Sequence, residues 1–220
     1  AIKADEKNGQ AYAWKACALG QGLFRGYIEE DFNVVWKQAQ DNLKKARELN
    51  ENDFEVHRLM SEVTLAMKDY RAAQRHSKLA YDMVPNDPRV LSVYGDVCVR
   101  TGKVDEGLDA LKLALDLDPI PQGKTNSDPR HAGLLFAFYM SRDKEGCLEQ
   151  IDYLDEIDVR SWLITTKICS DEEHEYESLD WFQEGKKLFA EKEWEKVVPD
   201  FRLNNDSASE ALIEFGKRLF

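Results

Sequence analysis

The side chains best suited to catalysis in this 220-residue chain are four histidines and several groups of acids, and they are scattered. The histidines are His57, His76, His131 and His174. None belongs to a Ser/Cys–His–acid signature, a phosphate-binding loop or an HExxH motif. His57 and His131 fall near the starts of predicted helices, where packing or solvation is the ordinary role. We therefore expect no catalytic residues, and we do not expect this chain to be an enzyme by itself.

Two short motifs could suggest a metal or cofactor site. The run Asp171-Glu172-Glu173-His174-Glu175 offers carboxylates and an imidazole to a divalent cation. Acids in the first turn of a helix are also favoured by its dipole, so we interpret this run as a helix start and expect no metal. Gly20-Gln21-Gly22 and Gly26 lack the strand that precedes a dinucleotide loop, so we interpret them as an inter-helix turn and expect no cofactor. Asp152 and Asp155-Glu156 are interpreted as surface acids of a helix.

A 34-residue repeat organises the chain. Small residues recur at this interval, in the series Ala46, Ala80, Ala114 and Ala39, Ala73, Gly107, and in the pair Ser61, Gly95; Pro85 and Pro119 repeat in the same way. Small side chains let helix backbones approach closely, which stacked helical hairpins require. The pattern predicts an all-α chain of antiparallel helix pairs.

We predict one domain over residues 1–220, beginning with the tail of a truncated repeat at 1–8. Helix pairs are predicted at about 9–52, 53–86, 87–120 and 128–158, followed by an irregular end at 159–220. The first pair is stretched by extra residues in the glycine-containing turn. Residues 120–127 are rich in turn formers and predict a loop. Two capping boxes, at 170–173 and 207–210, predict helices beginning near Asp171 and Ala208.

The end of the chain allows two predictions. One pairs a short helix at 158–169 with a long helix at 171–190. The other makes a repeat of Trp181, Gly185, Leu188, Trp194, Val197 and Phe201, in which Pro199 interrupts the second helix. Both finish with a helix whose stripe of Leu212, Phe215 and Leu219 covers the end of the stack.

The unit from Asp87 to Pro119 resembles the tetratricopeptide repeat (TPR) family. The matching positions are Leu91, Tyr94-Gly95, Cys98, Gly102, Gly107, Leu111, Ala114 and Pro119. The resemblance covers roughly residues 9–158. It implies a right-handed superhelix of antiparallel helix pairs with a C-terminal capping helix, and a role in protein–protein interaction.

The departures from the regular repeat resemble those of a particular group of TPR proteins. They are the long first pair, the endings Leu49-Asn50 and Asp118-Pro119, the insertion with Pro121 and Gly123, and Asp200-Phe201-Arg202 before a short last helix. This arrangement is similar to the C-terminal TPR region of bacterial class III adenylate/guanylate cyclases and related regulators. The resemblance implies a signalling module that follows a nucleotidyl cyclase or other output domain. Since the chain starts at Ala1 within a repeat, we expect it to be a fragment of a longer protein.

Charge and composition restrict the partner. The formal net charge is −12 and the pI about 4.9, which disfavours nucleic acid and anionic membranes. Thirteen acids and three bases between Asp143 and Asp180 give −10 there, which suits either a solvated face or docking of a basic segment. The cysteines Cys17, Cys98, Cys147 and Cys169 show no metal-ligand spacing and predict a reducing compartment, the cytoplasm. The expected partner is a protein or peptide, basic or neutral in charge, another domain of the same chain, or a second copy.

The first helix of each TPR pair lines the concave face, where peptides and helices dock. We predict that outward positions on two first helices form this groove: Glu55, Arg58, Glu62 and Ala66, then Arg89, Ser92, Asp96, Val99 and Arg100. Charge reversal at Arg58 and Arg89 should then weaken partner capture without changing thermal stability. Homo-oligomerisation through the repeat faces or the aromatic residues Trp181, Phe182, Phe189 and Trp194 is the alternative function. An enzyme with an unrecognised site is a third hypothesis.

Overall fold

The structure is a computed structural model that describes residues 2–24, 26–171 and 175–220. Twelve α-helices, a 3-10 helix and no strand are found in these ranges. The chain divides into two compact units, Ala1–Asn86 and Asp87–Phe220, where the sequence predicted one domain. Each unit is described by itself.

Unit 1 is formed by two helix pairs. Its helices are α1 (Gly9–Phe24), α2 (Phe32–Leu49), α3 (Phe54–Ala66) and α4 (Tyr70–Met83). Helix α1 packs against α2 and α3, and α3 packs against α4. The alanines of the 34-residue series lie where helices meet, since Ala39, Ala46, Ala73 and Ala80 are all buried. An aspartate side chain caps the start of α2, α3 and α4 by accepting backbone N–H groups.

The interpretation of Gly20 and Gly22 as turn residues is wrong, because both lie inside α1. Gly22 is needed for close packing: a Cβ there would lie 2.6 Å from Cδ1 of Ile28, which follows the helix. The turn begins only after Phe24, and Gly26 has a positive φ of 70°. The first pair is stretched by long helices, with 16 residues in α1 and 18 in α2.

Unit 2 begins with two helix pairs, and a single helix follows them. These are α5 (Pro88–Arg100), α6 (Val104–Leu117), α7 (Asp128–Ser141), α8 (Lys144–Ile151) and α9 (Val159–Asp171). Helices α5 and α6 touch through their backbones at Gly95 and Gly107, where a Cβ on Gly95 would lie 2.9 Å from the Gly107 carbonyl oxygen. Asp128 is the first residue of α7, and its carboxylate accepts the backbone N–H groups of Asp155 and Glu156.

The structure at the end of the chain agrees with the second of the two predictions, the repeat from Trp181 to Phe201 that is interrupted at Pro199. Its elements are α10 (Asp180–Leu188), α11 (Trp194–Val197), a 3-10 helix (Val198–Phe201) and α12 (Asp206–Arg218). Pro199 lies in the 3-10 helix, where the α-helix stops because proline lacks the N–H that continues it. No helix begins at Asp171, which is the last residue of α9, so that prediction is wrong. The last helix begins at Asp206, and Asn205 caps it by accepting from the Ala208 N–H at 3.2 Å.

Trp162 is the centre of the core of unit 2. It is fully buried in α9, and its ring lies 5.7 Å from Phe182, 5.6 Å from Phe189 and 6.3 Å from Trp194. Its indole N–H donates to the Phe182 carbonyl oxygen at 3.1 Å. Leu212 and Phe215 of α12 are buried in the same cluster, so the last helix covers this end of the unit as predicted.

Candidate partner-binding surfaces

The predicted groove positions of unit 1 form an ion-pair network. Arg58 donates to both carboxylate oxygens of Glu55, at 2.9 and 2.8 Å, and to Glu62 at 2.7 Å. Burial opposes its charge, but hydrogen bonds with Glu55 and the charges of Glu62 and Glu55 outweigh this and raise the pKa of Arg58. Glu55 is only 4% exposed and Arg58 6%, so the prediction that these two positions face solvent is wrong.

Trp14 of α1 covers this network. The Arg58 guanidinium carbon lies 5.4 Å from the centre of the indole ring, within the range of a cation–π contact. Trp14 nevertheless remains 48% exposed. We call Trp14 and the adjoining Glu62 edge of the network the Trp14 face. It lies on the first helices of both pairs of unit 1, and sequence periodicity missed it because the contact joins residues 44 positions apart.

Cys17 lies under the Trp14 face. Its Sγ lies 3.9 Å from a Glu62 carboxylate oxygen and 3.5 Å from the Gln21 amide. Burial and then the charge of Glu62 raise the pKa of the Cys17 thiol to about 11, so the thiol is protonated at neutral pH. A protonated, buried thiol is a poor nucleophile, which agrees with a packing role for Cys17.

Predicted groove residues of unit 2 form ion pairs and hydrogen bonds with neighbouring side chains. Arg89 pairs with the capping carboxylate of Asp87 at 2.7 Å. Arg130 donates to the Ser92 hydroxyl and, at 3.0 Å, to Asp118. These contacts satisfy the polar groups and orient α5 against α7.

Arg100 is buried beneath the chain's own C-terminal segment. Its guanidinium pairs with Asp96 at 2.9 Å and lies 4.4 Å from the centre of the Phe136 ring. It also donates to the carbonyl oxygens of Phe201 and Arg202. The prediction that Arg100 faces an open groove is therefore wrong, because the segment after α11 covers it.

The aromatic residues proposed as an oligomerisation surface lie in the core. Trp181, Phe182, Phe189 and Trp194 are all buried around Trp162. At most 8% of each of these residues is exposed, so they offer little aromatic surface for contact between copies. Oligomerisation through the repeat faces stays a prediction.

Two histidines are stacked in the interior of unit 1. The rings of His57 and His76 lie 5.2 Å apart, and their Nδ1 atoms 3.0 Å apart. The Glu51 carbonyl oxygen can only accept, so His57 donates to it from Nε2, at 2.8 Å. His57 Nδ1 must then accept the N–H of His76 Nδ1. His131 is buried likewise, with its Nδ1 2.9 Å from Oε1 of Gln150, so both histidines are packed in the interior and not solvated.

We expect the stability of unit 1 to fall as the pH drops from about 6.5 to 4. Burial, then the charges of His57, Arg75 and Arg47, lower the pKa of His76 to about 4, below the usual 6.5. The unfolded chain therefore binds the proton first. Stability is complete above pH 6.5 and declines as pH falls toward 4, by about 3 kcal/mol in all.

Urea denaturation of His57→Leu/His76→Ala at several pH values tests this expectation. The variant carries the residues found 34 positions later, Leu91 and Ala110, so its packing has a precedent in the neighbouring repeat. Between pH 6.5 and 4 the variant should lose less folding stability than the unchanged chain, because it lacks the histidine pair. An identical pH dependence in the variant and the unchanged chain would contradict the assignment.

The described residues contain no group of three or more His, Cys, Asp or Glu side chains placed to hold a metal ion. Most of the run from Asp171 to Glu175 lies outside those residues. Nor is any helix among them long and apolar enough to cross a bilayer.

Comparison with known proteins supports the fold. No protein-family model matches the chain, and no curated protein matches it. Among solved structures, it is similar to PilF of Pseudomonas aeruginosa, a tetratricopeptide-containing protein, with a TM-score of 0.58 and 17% sequence identity. The match covers 97% of this chain and 91% of that chain. The chain therefore has an all-α, TPR-type helical-repeat fold.

Proposed function

We propose that this chain is a protein-interaction module that binds a protein or peptide through the Trp14 face. The observation that carries the proposal is the half-exposed indole of Trp14, which packs on a guanidinium that is hydrogen-bonded to Glu55 and Glu62. Hot spots of protein interfaces are enriched in tryptophan and arginine. A TPR-type fold supports the same class of function, since its first helices are the usual docking surface.

The charge of the chain favours a neutral or basic partner. An apolar side chain packed on Trp14 would cover the exposed part of its indole. Nucleic acid and anionic lipid would be repelled by the net charge of −12.

The resemblance to cyclase-linked repeats supports a narrower proposal. The module would follow a signalling output domain such as a nucleotidyl cyclase in a cytoplasmic bacterial protein and regulate it. The four cysteines are free and buried, as expected in a reducing compartment. Sequencing the gene upstream of the codon for Ala1 tests this: a cyclase or other output domain supports the proposal, and its absence overturns the narrower proposal alone.

Replacing Trp14 by alanine should weaken partner binding by about 2 kcal/mol, roughly 30-fold in Kd. The partner is first identified by affinity capture and then purified, and Kd is measured by isothermal titration calorimetry. Circular dichroism should show that the variant remains folded, because the indole is half exposed.

Phe32→Ala is the matched control, because Phe32 is also 48% exposed but lies on the second helix α2. It should change Kd by less than about twofold. Equal effects of the two substitutions, or none at Trp14, would show that the partner binds elsewhere.

A further inference from the structure

We propose that a cleft in unit 2 binds an arginine-bearing segment of a partner protein. The cleft lies between the end of α8 and the start of α10 and has a volume of about 380 Å³. It is lined by Leu148, Asp152, Leu179, Asp180 and Trp181. We call it the α8–α10 cleft. Its volume is within the range of pockets that hold small ligands or single side chains, roughly 300 to 1,000 Å³.

One wall of the cleft is apolar and rigid. Leu148 and Leu179 are half-buried, and Trp181 is buried with its ring edge-on to Phe182 at 6.1 Å. Phe182 itself stacks on Trp162, so the indole of Trp181 is supported by the core of the unit. This wall can pack against the alkyl part of a long side chain, which in arginine spans three methylene groups.

The other groups of the cleft are anionic. Asp152 is the residue that follows α8 at its C-terminal end, and Asp180 is the first residue of α10. Both are exposed, and among the described residues neither carboxylate has a hydrogen bond or ion pair. Asp171, by contrast, pairs with Lys167. The end of α8 and the start of α10 contribute dipole ends of opposite sign, so the two carboxylates set the charge of the cleft, and this charge favours a cation.

Arginine fits this combination better than the other cations. Its planar guanidinium can donate hydrogen bonds to two carboxylates and lie on an aromatic surface at once, whereas a lysine ammonium is a compact charge that stays hydrated. A metal ion would need converging oxygen ligands and would leave the apolar wall unused. Residues 143–180, with a formal charge of −10, would attract a basic segment from a distance, within the screening length of about 8 Å. The occupant is therefore a basic peptide segment.

The α8–α10 cleft is independent of the Trp14 face. All its lining residues belong to unit 2, whereas the Trp14 face belongs to unit 1. Trp14→Ala should leave binding at the cleft unchanged, so failure of one proposal does not imply failure of the other.

NMR of the full chain labelled with ¹⁵N tests the inference. The probe is the peptide N-acetyl-Leu-Arg-Leu-amide, and the signal is the indole N–H of Trp181, identified by its loss in Trp181→Phe. We expect this signal to shift on titration and to shift less as salt is added. The corresponding peptide with Glu in place of Arg should leave it unmoved. An unmoved Trp181 signal with the arginine peptide, or an equal shift with both peptides, would overturn the proposal.

Matched variants separate the cleft from the general acidity of unit 2. Asp152→Asn/Asp180→Asn should weaken binding of the arginine peptide by roughly tenfold or more. Glu149→Gln/Glu184→Gln removes the same amount of charge from exposed positions of α8 and α10 that do not line the cleft. This control should change the Kd for the arginine peptide by less than about twofold. Equal losses in the two variants would overturn the site. If the first variant does not fold, the comparison of the two peptides decides.

Discussion

Replacing Gly185 by alanine is expected to destabilise unit 2 by about 3 kcal/mol or more. A Cβ at this position would lie 2.1 Å from Cδ1 and 2.3 Å from Nε1 of Trp162, far inside van der Waals contact. The indole cannot yield easily. It is fully buried, it is packed between Phe182 and Phe189, and its N–H is bound to a backbone carbonyl. The added methyl must therefore displace α10 from α9.

The measurement is urea denaturation followed by the near-ultraviolet circular dichroism of the tryptophans. Gly133→Ala is the matched control, because Gly133 is also a helical glycine of unit 2. A Cβ there would meet Leu111 at an ordinary 3.8 Å. This control should be neutral or stabilising by up to about 1 kcal/mol, since alanine favours helix. Similar stabilities of the two variants would mean that α10 does not pack on Trp162 as described.

Replacing Arg58 by methionine is expected to destabilise unit 1 by about 3 to 5 kcal/mol. The substitution removes the guanidinium that makes two hydrogen bonds to the buried carboxylate of Glu55. Because the cost arises mainly from the loss of these bonds to a buried charge, Arg58→Met/Glu55→Met should recover most of the lost stability. Two apolar side chains of similar length can fill the space under Trp14.

Thermal and urea denaturation of the two Arg58 variants measure this effect. Lys37→Ala provides the control, because it removes an exposed i,i+4 ion pair with Asp41 on α2 of the same unit. It should cost less than about 1 kcal/mol. If Arg58→Met proved as mild as Lys37→Ala, the ion-pair network would not be buried. The same physics overturns the expectation that charge reversal at Arg58 leaves thermal stability unchanged, so Trp14 is the better position for testing binding.

The fold was predictable because its main signal is local and repeated. Alanines 34 residues apart marked helix contacts, and those of unit 1 are buried where its helices meet. The glycines were ambiguous, since a turn and a close helix contact both require the absence of a Cβ. Gly22 makes such a contact inside α1.

The helix boundaries at the end of the chain could not be predicted without knowledge of the tertiary contacts. A capping box at 170–173 competes with the continuation of α9, most of which is buried around Trp162. Burial prevails because it removes far more apolar surface from water. Pro199 correctly indicated where the second helix of the last pair is interrupted.

The candidate surfaces were less predictable than the fold. Helical periodicity placed Arg58 on an outward position, but only the packing of α1 shows that Trp14 covers it. Asp152, interpreted from the sequence as a surface acid, and Asp180, the last acid of the acidic stretch, meet at one cleft although 28 residues separate them. Sites of this kind form where different helix pairs contact each other, and these contacts cannot be predicted from a single sequence.

Site-specific photo-cross-linking tests most directly whether the Trp14 face binds a protein partner. A photoreactive benzoylphenylalanine replaces Trp14 in one variant and Phe32 in another, and both are irradiated in the native cell. We predict a discrete cross-linked protein with position 14 and none with position 32. Cross-links at position 32 alone, or equal labelling from both positions, would contradict binding through the first helices of unit 1.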